Sequence, residues 1–158
     1  MHFTLNGENM SAAADSSTRL IDMLREGCGI KSVREGCGVG ECGACTVLMN
    51  GDPICSCVTP AVQARGCDVT TVEGLETDGE LDAIQESFVT NDAIQCGFCT
   101  PGMILTAKAL LARNPSPSRE EIRRSIAGNI CRCTGYIPII NAIEAAAART
   151  REENTAPL

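Results

Sequence analysis

Positive charge is in short supply in this chain: 13 lysines and arginines stand against 20 aspartates and glutamates, giving a formal charge of -7 and a pI near 4.7. That balance argues against a nucleic-acid partner, whose phosphate backbone calls for a basic face. No apolar run approaches the length of a membrane span, and MHFTLNGENM has neither a basic segment leading into an apolar one nor a twin-arginine pair. A cytoplasmic protein away from membranes is the expectation. Histidine is nearly missing, and the only one, His2, is expected to be a solvated strand end. At 158 residues the chain is one domain or two small ones, and cores of that size bury little apolar surface unaided. Metal staples would then supply part of the folding free energy.

What the chain has in abundance is cysteine, eleven in all. In a reducing cytoplasm these are better read as metal ligands than as disulfides, and the odd count suits a disulfide framework poorly. Eight of them form two signatures, Cys37-x4-Cys42-x2-Cys45-x11-Cys57 and Cys96-x2-Cys99-x31-Cys131-x1-Cys133. The first has the plant-type [2Fe-2S] ferredoxin spacing C-x4-C-x2-C…C, in which four thiolates hold two irons. Four ligands per signature is the number two such clusters need, so the spacing points to electron transfer.

The surrounding sequence predicts where these cysteines sit. HFTLNGENMSA alternates about Asn6-Gly7 and predicts an opening β-hairpin. A short amphipathic helix follows from Thr18 with Leu20, Ile21 and Leu24, closed by Gly27 or Gly29. The loop EGCGVGECGAC (35–45) is rich in glycine, which lets backbone wrap closely about an inorganic core and turn N–H groups toward its sulfurs. Gly38-Val39-Gly40-Glu41-Cys42-Gly43 also fits the dinucleotide fingerprint G-x-G-x-x-G, but it follows a helix, carries ligand cysteines and opens into a strand, so it is rejected. A strand over residues 46–49, a turn at Asn50-Gly51 and a returning strand over residues 53–58 would deliver Cys57. One more β segment, residues 69–72, precedes the acidic stretch EGLETDGE, and the division is placed there. Residues 1–75 and 76–150 are expected to be separate domains, with 151–158 a solvated tail.

Past residue 75 the periodicity becomes helical, with Leu81, Ile84 and Phe88, then Ile104, Ala107 and Leu111. Ser118-Arg119-Glu120-Glu121 is a capping box opening a third helix that Gly128 stops, and a fourth runs from about Ile137 through Ala147. Four helices suggest a small bundle. Cys96 and Cys99 fall just ahead of its second helix, with Thr100 as expected N-cap and Pro101 at the first position; Cys131 and Cys133 fall just ahead of the fourth. Two helix N-termini would thus present partial positive charge to one thiolate site. The alternative is a structural zinc site with four cysteines, against which Cys-x-Cys is an uncommon zinc pair.

GCGVGECGACTV (36–47), Ser56-Cys57, QCGFCTPGMI (95–104) and GNICRCTGY (128–136) resemble the small iron-sulfur subunit of the molybdenum hydroxylase family, which includes xanthine dehydrogenase, nicotinate dehydrogenase, aldehyde oxidoreductases and aerobic carbon monoxide dehydrogenase. The resemblance spans about residues 3 to 147. It implies an α+β chain, a β-grasp plant-type [2Fe-2S] ferredoxin domain followed by a four-helix bundle carrying the second [2Fe-2S] cluster. It implies a large subunit with a molybdenum pterin cofactor and a medium FAD subunit, in a hetero-oligomer for which a dimer of heterotrimers is one form. Electrons would pass from molybdenum to the cluster on Cys96, Cys99, Cys131 and Cys133, then to that on Cys37, Cys42, Cys45 and Cys57, then to FAD. In this family the ligand at the Cys133 position lies against the pterin and the glutamine matching Gln95 is near it. The implied reaction is hydroxylation with water as oxygen source, and none of that substrate chemistry can reside on this chain. Ser32-Val33-Arg34-Glu35-Gly36-Cys37-Gly38-Val39-Gly40-Glu41-Cys42 looks more like the purine and nicotinate branches than the carbon monoxide branch. A xanthine dehydrogenase-like purine hydroxylase is favoured over nicotinate or aldehyde dehydrogenases, with a free-standing two-cluster ferredoxin and a zinc-binding structural module as the other classes.

Three cysteines stand outside both signatures. Cys55 would share a strand face with Cys57 and is read as a small buried residue; Cys28 and Cys67 lie in glycine-containing turns as incidental thiols.

Overall fold

Asn6 and Gly7 both take positive φ (52° and 83°), the geometry of a two-residue turn matching the twist of paired strands. They join β1 (His2–Leu5) to antiparallel β2 (Glu8–Ser11), and the alternation of HFTL sends Phe3 and Leu5 into the core. The computed structural model describes residues 1–155. A short helix, α1 (Leu20–Asp22), runs on as a π turn over Met23–Gly27, and together they bury Leu20, Ile21, Met23 and Leu24. After the glycine-rich loop come β3 (Thr46–Met49), β4 (Asp52–Cys55) and β5 (Asp68–Thr70), completing a five-stranded sheet of order β2-β1-β5-β3-β4. Only β1 and β5 run parallel.

Two strands are shorter than the sequence predicts. β4 ends at Cys55 because the Cys55 carbonyl accepts from the Val58 amide and the Thr59 hydroxyl, which turns the chain; Cys57 therefore sits on that turn and not on a strand. β5 ends at Thr70, and Val72 belongs instead to a 3-10 turn, Val72–Leu75.

The second half holds α2 (Ala83–Thr90), α3 (Thr100–Arg113), α4 (Arg119–Ser125) and α5 (Ile137–Thr155). Capping boxes open two of them, Asp82 with Gln85 and, as predicted, Ser118 with Glu121. The N-cap of α3 is Cys99, not Thr100: Cys99 is already helical, its carbonyl accepts from Met103, and no side-chain cap is made. Pro101 in the first turn removes one amide that would otherwise need a partner. α5 continues through residues 151–155, which the sequence assigns to a tail. Arg149 pairs with Glu86 at 2.5 Å, and the Arg151 guanidinium donates to the Pro115 carbonyl and the Ser116 hydroxyl. The remainder of the expected tail, 156–158, lies outside the described residues.

One apolar core gathers Ile84, Phe88, Met103, Ile122, Ile139 and Ile143 among the helices, and another gathers Phe3, Leu20, Leu24, Val33, Val47 and Val69 beneath the sheet. A third, small cluster of Leu48, Leu105 and Ala109 packs α3 against β3. That contact joins the two cysteine-bearing regions.

Candidate metal centres

Three of the first four thiols come from one loop, residues 36–45, which is held at its start by Glu35. Arg19 donates to Glu35 at 2.5 Å and to Asp22 at 2.7 Å, pinning that carboxylate against α1. Within the loop the amides of Val39 and Glu41 donate to the Cys37 sulfur at 3.4 and 3.3 Å, the N–H to S arrangement predicted from the glycine content. With the Cys42 amide they draw the exposed Cys37 thiol down to about 6. Cys45 and Cys57 are buried, and burial pushes both thiols up, Cys57 to about 11. Ser56 fixes this deeper pair: its amide and hydroxyl donate to the Cys45 carbonyl at 3.3 and 2.7 Å. Cys37 touches Cys42, and Cys45 touches Cys57.

The second four come two and two from segments that precede α3 and α5. The sulfurs of Cys96 and Cys133 are 3.6 Å apart, and Cys99 touches Cys131. Burial, followed by the neighbouring Cys131, pushes the Cys99 thiol up to about 12. Burial also acts to raise Cys131, but the Thr134 hydroxyl at 3.0 Å and amide at 3.4 Å outweigh it and bring that thiol down. The Phe98 amide lowers the exposed Cys96. The Cys131 amide is itself held by the Tyr136 hydroxyl at 2.9 Å. Gln95 and Cys133 are both exposed, beside Cys96.

In both regions the sulfurs fall into pairs. A structural zinc needs four ligands about a single point. A [2Fe-2S] core instead asks for two thiolates at each of two irons, which is the arrangement of the pairs Cys37/Cys42 with Cys45/Cys57 and Cys96/Cys133 with Cys99/Cys131. Of the remaining cysteines, Cys55 is half-buried beside the first set, its thiol 3.5 Å from the Gly40 carbonyl; Cys28 packs partly against the sheet core, and Cys67 donates to the Gln63 carbonyl.

Sequence reasoning missed the seam between the two sets. The Arg34 guanidinium donates to the Gly97 carbonyl and lies 5.6 Å from the Phe98 ring centre, clasping the second loop. The Ile130 amide donates to the Cys42 carbonyl at 2.9 Å. Asn129, 4 % exposed, bonds to Gly43, Thr46 and Thr106. No local spacing signals these partners, since each lies far along the chain from its mate.

Comparison with known proteins gives the same two regions. A domain described as a 2Fe-2S iron-sulfur cluster binding domain matches residues 3–65, and one described as a [2Fe-2S] binding domain matches residues 71–144. The chain is 51 % identical over 149 residues to the nicotinate dehydrogenase small FeS subunit of Eubacterium barkeri, covering 94 % of this chain and 95 % of that one. It is 46 % identical to the xanthine dehydrogenase iron-sulfur-binding subunit of Escherichia coli O157:H7, covering 89 % of each. Among solved structures, quinoline 2-oxidoreductase from Pseudomonas putida 86 superposes with a TM-score of 0.92 at 47 % identity, covering 96 % of this chain and 95 % of that chain.

Proposed function

Since the chain belongs to the small iron-sulfur subunits of the molybdenum hydroxylases, we propose that Cys37, Cys42, Cys45 and Cys57 hold one [2Fe-2S] cluster and Cys96, Cys99, Cys131 and Cys133 the other. The arrangement of eight thiols as four sulfur pairs carries this reading. A bound cluster supplies a one-electron store. The chain supplies the thiolates and the amides that favour their charged form. In the assembled enzyme it relays electrons from a molybdenum pterin on a large subunit to FAD on a medium subunit.

Fixed partners are favoured over a free-standing carrier by the apolar side chains left exposed around both sets. Val39 and Val58 stand beside the first, and Ile94, Phe98 and Ile130 beside the second. Gln95 and Cys133, at the exposed edge of the second set, are the residues we assign to the molybdenum side. The relatives named above belong to enzymes named for nicotinate, xanthine and quinoline, which supports a nitrogen heteroaromatic substrate for the holoenzyme, with an aldehyde, for which two further similar structures are named, as the alternative. Within the heteroaromatic class, residues 32–42 favour the purine and nicotinate branches, and the choice between them belongs to the large subunit. No described helix is long and apolar enough to cross a membrane, and a reducing cytoplasm is the compartment in which eight cysteines stay available as cluster ligands and three more as thiols.

The test is low-temperature EPR of the dithionite-reduced chain, with iron and acid-labile sulfide counted on the same sample. Two distinct S = 1/2 signals with about four irons per chain are expected. Zinc with no EPR signal would overturn the electron path.

A further inference from the structure

The seam between the two thiol sets is built from backbone and closed by one buried amide. From the Cys42 sulfur, covalent bonds lead to its own carbonyl, a single 2.9 Å hydrogen bond crosses to the Ile130 amide, and the next residue is Cys131. No other backbone hydrogen bond joins the two ligand-bearing segments among the described residues so directly. What keeps these strands of chain in register is Asn129. Its Nδ2 donates to the Gly43 carbonyl at 3.0 Å and to Thr46 Oγ1 at 3.4 Å, and its Oδ1 accepts from Thr106 Oγ1 at 2.9 Å. Thr46 Oγ1 in turn donates to the Gly43 carbonyl at 2.7 Å, so the polar groups of this buried knot are satisfied by one another.

The knot also tolerates no side chain on either backbone beside it. A Cβ on Gly43 would stand 2.5 Å from Asn129 Nδ2 and from the Gly128 carbonyl, and one on Gly102 would overlap the Gly43 carbonyl. The loop of the first set, the N-terminal turn of α3 and the segment leading to Cys131 therefore meet at near-backbone contact.

We propose that Asn129 is a positioning residue for electron exchange between the two sets: it holds the Cys42 carbonyl on the Ile130 amide, and this bond is the direct bridge. The exchange moves one electron from one set to the other, with no bond broken and no proton transferred. The inference rests on the reading that both sets carry clusters. Asn129→Ala leaves all eight thiols in place but removes the amide. Thr106→Val, nearly isosteric, removes only the hydroxyl that orients it and guards against a folding defect in the first variant.

Three readouts on the purified full chain decide the matter: iron content, hydrogen exchange at the Ile130 amide, and redistribution of one added electron between the two EPR signals after rapid freezing. With iron unchanged, Ile130 exchange is expected to rise about tenfold or more in Asn129→Ala, because buried partners are left unsatisfied. Redistribution should slow by about the same factor, with Thr106→Val intermediate. A purely structural role would raise amide exchange without slowing redistribution, and that result overturns the proposal, as does unchanged exchange in both variants. Wild-type chain with no iron-sulfur signals would instead fail the function proposed above, a distinguishable outcome.

Discussion

In the first half, three of four thiols lie on one continuous glycine-rich loop and only Cys57 arrives from elsewhere; in the second, the thiols come in twos from segments separated by α3 and α4. The loop controls its thiols with amides of the same segment, Val39 and Glu41 on Cys37. The helical half relies on a capping-like threonine on Cys131 and on the partial burial of Cys99 beside it. Each set thus has one thiol at the surface that ionises readily, Cys37 or Cys96, and a deeper partner whose charged form is disfavoured, Cys57 or Cys99. Two unrelated local solutions converge on one arrangement, an outer pair toward solvent and an inner pair toward the core.

If the two sets are independent in ligation, Cys133→Ala should empty only the second. Iron should fall from about four to about two per chain while the first set's EPR signal persists, and electron delivery from substrate to FAD should stop in the complex. Loss of both signals would show the sets to be interdependent. The next effect in size concerns the packing between them. Gly102→Ala gains about 1 kcal/mol in helix propensity, but its methyl group meets the Gly43 carbonyl, a backbone atom that cannot rotate away. Overpacking of that kind costs about 1–3 kcal/mol, so a net loss of up to about 2 kcal/mol is expected in chemical denaturation of the loaded chain.

A smaller contrast separates outer from inner thiols. In metal-free chain, Cys37 lies low, about 6, so its alkylation at pH 7 should outpace that of Cys99 by more than about a hundredfold. The Cys37 rate should fall as pH drops through about 6, where the thiolate takes up its proton, while Cys99 should respond only far above neutrality; peptide mass spectrometry after timed labelling reads both. The least effect is reserved for Cys55→Ala. Its half-buried thiol lies 3.5 Å from the Gly40 carbonyl and beside the Cys45 thiol, outside both signatures, so both signals should persist with a stability change under about 1 kcal/mol. Loss of the first signal would make Cys55 a ligand.

What could be read from the chain was local. Asn6-Gly7 and the capping box at Ser118 and Glu121 each act within a few residues, and the structure places both as expected. The misjudged features depend on distant partners. The strand carrying Ile54 stops short because the Cys55 carbonyl is taken by Val58 and Thr59. α5 outruns its expected end because Glu86, Pro115 and Ser116 hold its arginines. Asn129 looked like one polar residue in a ligand motif, and its importance emerges only when Gly43, Thr46 and Thr106 are brought to it.

The bond from Ile130 to Cys42 also bears on the order in which the chain is made. A ribosome releases the first loop, β3 and β4 well before residue 130 exists, so the Cys42 carbonyl waits without its partner while most of the second half is translated. Over the same interval the apolar face of Leu48 has no Leu105 or Ala109 to cover it. The first loop is therefore completed by residues made long after it, so closing the seam through Asn129 and Ile130 belongs to the late part of folding.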